Sequence, residues 1–169
     1  MDSKPLVIYY SRTETTAKIV ETVLPTINGE ARRLGEPSSW MGKLIQSLNK
    51  GKDNPIVGPL SNLEGFDPII LLTPIWKGKP TPAMTEFLDG VDLHGKKVVL
   101  GLVGANATNP DALQKLHRRA IERGCIFIET IYLRGVPPGR DWSSLGDEDY
   151  RREAAKLAEK VFAAQGFNR

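Results

Sequence analysis

The sequence predicts an α/β protein with a doubly wound parallel sheet and helices on both faces. Four short runs are largely apolar and rich in β-branched or aromatic residues, as expected of strands that are buried on both sides. Helical patterns lie between these runs, and strands that alternate with helices favour parallel pairing through right-handed crossovers. The four predicted strands are Leu6–Tyr10, Ile69–Leu72, Val98–Val103 and Ile126–Leu133.

A fifth predicted strand, Glu30–Leu34, is polar and suits the edge of the sheet, where a strand is paired on one side only. The third predicted helix has Asn109 as its N-cap and Pro110 at its first position, and it stops at Gly124. We expect this helix to turn Ile121 inward, together with Leu113, Leu116 and Ala120. The predicted helices are Thr15–Leu24, a short one near Pro82–Leu88, Asn109–Arg123, and one that starts at Asp147 and repeats apolar groups through Phe162.

The composition is that of one globular domain spanning residues 1–169. The chain has 169 residues, of which 40% are hydrophobic and 25% charged, enough for one core and too few for two. A net charge of +3 is too small for a nucleic-acid binder, and basic and aromatic residues do not alternate. No membrane span or signal peptide is evident, so we expect a cytoplasmic protein without stable membrane insertion. With Cys125 as the single cysteine, we expect no disulfide and no metal site.

The segment Trp40–Lys52 is a predicted amphipathic helix. Its apolar residues share one face and its lysines face away, which is typical of a helix that covers the edge of a sheet. Docking of an acidic partner or of a membrane surface is the alternative.

The loop after the first predicted strand is rich in hydroxyl groups. In a doubly wound sheet, ligands bind at the carboxyl ends of the strands where the strand order reverses. Ser11-Arg12-Thr13-Glu14-Thr15-Thr16 lies there, directly before a helix. The free amides of a helix N-terminus, together with these hydroxyls, can enclose a phosphate. The alternative is that the hydroxyls only cap the helix, although one would suffice for a cap. Neither the Gly-Lys-Ser/Thr ending of a Walker loop nor GxGxxG is present.

The loop predicted after Leu72 carries an aromatic side chain. Trp76 emerges from the end of a buried strand between prolines, and we expect its exposed face to be covered by something planar. The alternative is that Trp76 folds back onto a neighbouring helix. A phosphate site beside an aromatic surface matches a phosphorylated planar ring.

The segment SRTETT after one buried strand, with TPIWKGKPTPAMTEFL after a later one, resembles the flavodoxin family. The resemblance covers about Lys4 to Phe162. It implies a five-stranded parallel sheet of order 2-1-3-4-5, with FMN bound noncovalently at its carboxyl edge. The implied phosphate contacts are Ser11, Thr13, Thr15 and Thr16, with the backbone from Arg12 through Glu14 to Thr16. The implied ring contacts are Pro74, Ile75, Trp76, Lys77 and Gly78 on one side, and Gly104, Ala105, Asn106, Ala107 and Thr108 on the other.

Three departures from the family pattern carry further expectations. Glu14 stands where such loops often have glycine, so its carboxylate must turn away from the phosphate. The third loop lacks the Tyr or Trp that many flavodoxins stack on the flavin, which leaves one face open to a hydride donor or a quinone. Lys77 and Lys79 flank Trp76 where many flavodoxins have acids, which predicts a less negative potential for the fully reduced flavin. Gly78 fits either a peptide that flips on reduction or a glycine needed only for the turn.

The resemblance implies an electron carrier between a redox donor protein and an acceptor protein, as a monomer or weak dimer. The flavin would perform the chemistry, so we assign no catalytic residues. One alternative is an enzyme, an FMN-dependent NAD(P)H or quinone reductase. The other is a flavin-free binding or regulatory module, which Glu14 motivates. A low-molecular-weight phosphatase would need a cysteine in the first loop, and a receiver domain would need acids where Ser11 stands.

Overall fold

The computed structural model describes residues 3–35, 62–105, 109–137 and 139–167. The predicted helix Trp40–Lys52 and the predicted ring contacts Asn106, Ala107 and Thr108 lie outside these residues. The strands are β1 (Lys4–Tyr9), β2 (Glu30–Arg33), β3 (Phe66–Trp76), β4 (Lys79–Pro80), β5 (Lys97–Gly104) and β6 (Phe127–Arg134). The helices are α1 (Thr15–Ile27), α2 (Pro82–Gly90), α3 (Pro110–Glu122) and α4 (Asp147–Gly166).

The strands form one sheet of order β2-β1-β3-β5-β6, with β4 paired to β3 alone. The five strands along this path are parallel, and β4 is antiparallel. Numbered by themselves, the parallel strands have the order 2-1-3-4-5, which confirms the predicted architecture. The strand order reverses between β1 and β3, so the loops that follow these two strands meet at the carboxyl edge of the sheet.

Helices cover both faces of the sheet, and each face has its own apolar core. Successive residues of β1 point to opposite faces, so Leu6 and Ile8 pack with α2 and α3, while Val7 packs with α1 and α4. A strand that is covered on both sides has no face for polar residues, which explains the unbroken apolar run in the sequence.

Strand β3 is longer than predicted. It does not end at Leu72 but continues through Trp76, so much of the predicted loop is strand and hairpin. Pro74 pairs with Val103 of β5. Because β1 ends at Tyr9, Pro74 has a strand neighbour on one side only, where a missing N–H is tolerated.

The predicted inward position of Ile121 is wrong. Its residue is 54% exposed, and Phe162 of α4 is 47% exposed. The buried residues of α3 are Ala112, Leu116 and Ala120, a stripe of every fourth residue. Ile121 follows the buried Ala120 and lies about 100° around the helix from it, outside this narrow stripe.

Candidate functional site

Ser11 begins the turn between β1 and α1 and caps the helix. Its side chain is buried, and its Oγ accepts a hydrogen bond from the backbone N–H of Ala17 at 3.1 Å. The capping interpretation therefore holds for this one hydroxyl, whose oxygen was expected to face the phosphate. Its O–H remains a donor, because the cap uses only the oxygen as acceptor.

The other amides of the turn are unpaired within the described residues. Within the described residues, the backbone N–H groups from Arg12 to Thr16 donate to no protein acceptor. The Thr13 and Thr15 hydroxyl oxygens lie 3.4 Å apart, and the side chains of Thr15 and Thr16 are buried beneath the turn. Unpaired amides at a helix N-terminus, with hydroxyls beside them, form an arrangement that binds anions.

Tyr150 of α4 is buried in the core that α1 and α4 share on one face of the sheet. Its hydroxyl donates to the carbonyl of Trp142 at 2.7 Å. Burial raises the pKa of Tyr150, and a hydrogen bond from the Thr15 side chain opposes that rise.

The Glu14 carboxylate is paired with a cation from a neighbouring strand. Its backbone is left-handed, with φ 62°, and its carboxylate forms two hydrogen bonds with Arg33 of β2. Arg33 Nη2 lies 2.6 Å from Oε1, and Nη1 lies 3.2 Å from Oε2. Nη2 also donates to the carbonyl of Ser11. Partial burial of Arg33 lowers its pKa, but the hydrogen bond and charge of Glu14 outweigh this and raise it. The negative charge of Glu14 is therefore neutralised by Arg33.

Trp76 lies at the end of β3, half-buried against the core and directly beside the turn. Its ring meets Tyr10 edge to face, with centroids 5.3 Å apart and planes at 81°. The Arg12 guanidinium carbon lies over the indole, 5.5 Å from the ring centroid. The turn and the indole therefore share one rim of the sheet, and a residue of the turn covers the indole.

A tight hairpin follows Trp76. Lys77 and Gly78 both have positive φ, 47° and 75°, and Trp76 pairs with Lys79 across them. Two consecutive positive φ values are the geometry of a type I′ hairpin turn. The Gly78 carbonyl accepts a hydrogen bond from Asn109 Nδ2 at 3.2 Å. This geometry favours the interpretation of Gly78 as a turn glycine, because its carbonyl already has a partner.

Asn109 connects the hairpin to α3. Its Oδ1 accepts from the Ala112 N–H at 2.9 Å, as predicted for an N-cap, while its amide reaches Gly78. The base of the hairpin is fixed by Thr73 and Thr81, whose buried hydroxyl oxygens are 2.7 Å apart. Pro74 and Ile75, among the last residues of β3, lie between the Thr73–Thr81 contact and the Asn109–Gly78 hydrogen bond.

The third predicted loop begins at the end of β5. Gly104 and Ala105 are partly buried there, and the Gly104 carbonyl accepts from the Gly135 N–H at 2.8 Å. A Cβ at Gly104 would lie 3.3 Å from Ile75 Cδ1, so a small residue suits this close approach of β5 to the end of β3.

Three cations line the rim without an ion pair within the described residues. Arg12, Lys77 and Lys79 are exposed. The ion pairs within the described residues all join other side chains. In the same part of the chain, no cluster of three or more His, Cys, Asp or Glu side chains could hold a metal. No helix in the described ranges combines the length and apolar character that a membrane crossing requires.

Comparisons by sequence return nothing: no family model and no curated protein matches the chain. Comparisons by structure identify similar folds. General stress protein 14 of Treponema denticola, solved with FMN, has a TM-score of 0.62 at 14% identity, over 95% of this chain and 99% of that one. Oxidised flavodoxin 2 of Bacillus cereus has a TM-score of 0.57 at 20% identity, over 95% and 98%. A Lactobacillus acidophilus flavoprotein in complex with FMN has a TM-score of 0.53 at 20% identity, over 79% and 93%. The shared feature is the architecture of the sheet and its helices.

Proposed function

We propose that this chain, which has the fold of the flavodoxins, binds FMN and carries electrons between redox proteins. The observation that carries the proposal is the shared rim, where open amides and an indole lie side by side, with Arg12 in contact with Trp76. Two proteins with similar folds, from Treponema denticola and Lactobacillus acidophilus, were solved with FMN. Bound FMN would supply one-electron and two-electron transfer.

The phosphate end fits the turn between β1 and α1. The N–H groups from Arg12 to Thr16 lack protein acceptors within the described residues, and an anion that accepts from them meets the positive end of the α1 dipole. The exposed side chain of Thr13 adds a hydroxyl donor, and the buried hydroxyls of Thr15 and Thr16 belong to the same turn. The Glu14 carboxylate, which would repel a phosphate, is instead paired with Arg33.

The ring end fits the hairpin. Trp76 presents its indole at the rim, and residues from Pro74 to Gly78 form the strand end and turn around it. Arg12 would leave the indole to make room for the ring and would remain close to the phosphate as a cation. Asn109 holds the Gly78 carbonyl, so the hairpin would keep its shape whether or not the ring is bound.

The exposed cations point to the kind of redox partner. Arg12, Lys77 and Lys79 surround the indole, where the flavin edge would lie, and none has an ion pair within the described residues. Opposite charge steers two proteins together before they dock. The proposed donor and acceptor proteins therefore approach this rim with acidic surfaces.

The binding experiment compares FMN with riboflavin, which lacks the phosphate. We expect FMN to bind with quenched flavin fluorescence and riboflavin to bind about tenfold or more weakly, because charge-assisted hydrogen bonds to the phosphate are lost. Trp76→Leu should weaken both ligands. Phe162→Leu, an exposed aromatic on α4, is the matched control and should change neither. Colourless protein that takes up no added FMN would overturn the proposal and favour the flavin-free module.

A second measurement separates the carrier from a reductase. The reductase is the alternative because the third loop has no aromatic residue that would cover the outer face of the flavin. A carrier mixed with NADPH or a quinone should turn over negligibly, and its photoreduction should proceed in resolved one-electron steps. Steady NADPH oxidation by the purified holoprotein, with reduction in a single two-electron step, would favour the enzyme.

A further inference from the structure

The left-handed backbone of Glu14 is unusual for a residue with a side chain. L-residues rarely adopt positive φ, and a position with φ near 60° favours glycine. At Glu14, φ is 62°, and this residue lies in the middle of the turn whose amides are open. Without a restraint, the turn would favour other conformations, and the arrangement of its unpaired amides would change.

Arg33 provides such a restraint. Its guanidinium contacts both carboxylate oxygens of Glu14, at 2.6 and 3.2 Å, and the carbonyl of Ser11 as well. One side chain therefore holds both the start of the turn and its left-handed residue. A planar guanidinium is suited to this, because its donors form a rigid fork.

The sheet fixes the position of Arg33. It is the last residue of β2, where it pairs with Tyr9 of β1, and the Leu34 N–H donates to the Tyr9 carbonyl at 2.7 Å. Since β1 and β2 are parallel, their carboxyl ends meet at the same edge, and the Arg33 side chain extends from that edge to the turn.

We propose that Arg33 is a positioning residue for the phosphate of FMN, acting through Glu14 rather than by touching the ligand. It holds the turn with its amides available before the ligand arrives, and it keeps the Glu14 carboxylate neutralised and away from the phosphate. This inference rests on the proposed function. It requires that loss of Arg33 weaken the binding of FMN but not of riboflavin. It also requires that this loss weaken FMN binding less when residue 14 is glycine.

The test is a double-mutant cycle read as the ratio of riboflavin Kd to FMN Kd. Arg33→Met should weaken FMN binding by about tenfold, because charged hydrogen bonds are lost and the Glu14 carboxylate is released. The affinity for riboflavin should stay within about twofold of the wild-type value. Glu14→Gly should bind FMN at least as well as the wild type. The double variant should behave like Glu14→Gly, because glycine adopts the left-handed conformation without help.

Arg32→Met is the matched control. Arg32 is the preceding residue of β2, and it donates to the Asn62 carbonyl at 2.7 Å and lies over Phe66 at 5.1 Å. Its loss should leave the ratio unchanged. If Arg33→Met does not fold, Arg33→Lys keeps the charge without the fork and should lower the ratio by a smaller factor.

The outcomes separate the two proposals. A wild-type chain that binds no FMN overturns the proposed function and this inference with it. A wild-type chain that binds FMN, while the ratio in Arg33→Met or Arg33→Lys stays at the wild-type value, overturns this inference alone. An equal loss of FMN and riboflavin affinity, or a double variant as weak as Arg33→Met, also overturns it.

Discussion

Individual residues of the site differ in how far the sequence could predict them. The Ser and Thr residues of the turn and Trp76 could be located, because each follows an apolar run that forms a strand. The position of Arg33 could not be predicted, since its contact with Glu14 spans 19 residues and depends on the pairing register of β2. A polar edge strand contains no pattern that indicates which of its arginines reaches a neighbouring loop.

Lys77 tests the electrostatics of the proposed ring site. It is exposed at the hairpin tip, next to Trp76, and a cation there favours a negatively charged reduced flavin. Lys77→Glu should lower the midpoint of the last reduction step by roughly 20–60 mV at low salt, where about 59 mV is a tenfold change for one electron.

The measurement is a redox titration of FMN-loaded protein, repeated at high salt, where screening should shrink the difference. Lys115→Glu on the exposed face of α3 is the control and should leave the midpoint almost unchanged. Equal midpoints for the wild type and Lys77→Glu would show that Lys77 does not influence the potential of the flavin.

Whole elements were predicted better than their ends. All five parallel strands and the helices Thr15–Ile27, Pro82–Gly90, Pro110–Glu122 and Asp147–Gly166 overlap the elements that the sequence predicts. The sequence does not predict the extension of β3 past Leu72, because Pro74 indicates a loop, and only the early end of β1 explains why this proline is tolerated there. Periodicity also could not give the width of the buried stripe on α3, which leaves Ile121 exposed.

Gly101 of β5 tests the packing of the sheet against one of its cores. It lies between Leu72 of β3 and Ile131 of β6, and an added Cβ would lie 2.2 Å from Leu72 Cδ2. Since Leu72 is fully buried, Gly101→Ala should lower the free energy of unfolding by about 1–3 kcal/mol.

Urea denaturation of the apoprotein measures the effect. Gly90→Ala at the end of α2 is the control, because an added Cβ there meets nothing within 4 Å, and alanine is the better helix former. A Gly101→Ala protein as stable as Gly90→Ala would mean that β5 and its neighbours adjust freely.

At the scale of the whole molecule, the alternation of strands and helices predicted the class of fold, and the family resemblance supplied the strand order. Several doubly wound orders share the same alternation, so periodicity alone could not select 2-1-3-4-5. The order brings the ends of β1 and β3 together, and with them the turn, the indole and the exposed cations.

On the proposed function, the grouping of these cations predicts how the FMN-loaded protein would react with redox partners. Electron transfer to a small acidic acceptor should slow as ionic strength rises, because steering at the rim is screened over about 10 Å at 0.1 M salt. A basic acceptor should show the opposite trend.

Stopped-flow rates measure this dependence. The variant with Lys77→Gln and Lys79→Gln should have a lower rate and a weaker salt dependence with the acidic acceptor. The control variant, with Lys115→Gln and Arg118→Gln on α3, should resemble the wild type. Electron-transfer rates that do not change with ionic strength, or an equal loss of rate in both variants, would place the docking surface elsewhere.

The contact between Arg12 and Trp76 has a consequence for how a nucleotide would enter. An anion that attracts the guanidinium would uncover the indole, and a ring that displaces the guanidinium would free it to meet the anion. Each end of the incoming molecule would therefore ease the arrival of the other. The binding free energies of two fragments, each with one end of the nucleotide, would therefore be smaller than the contributions of those ends in the intact nucleotide.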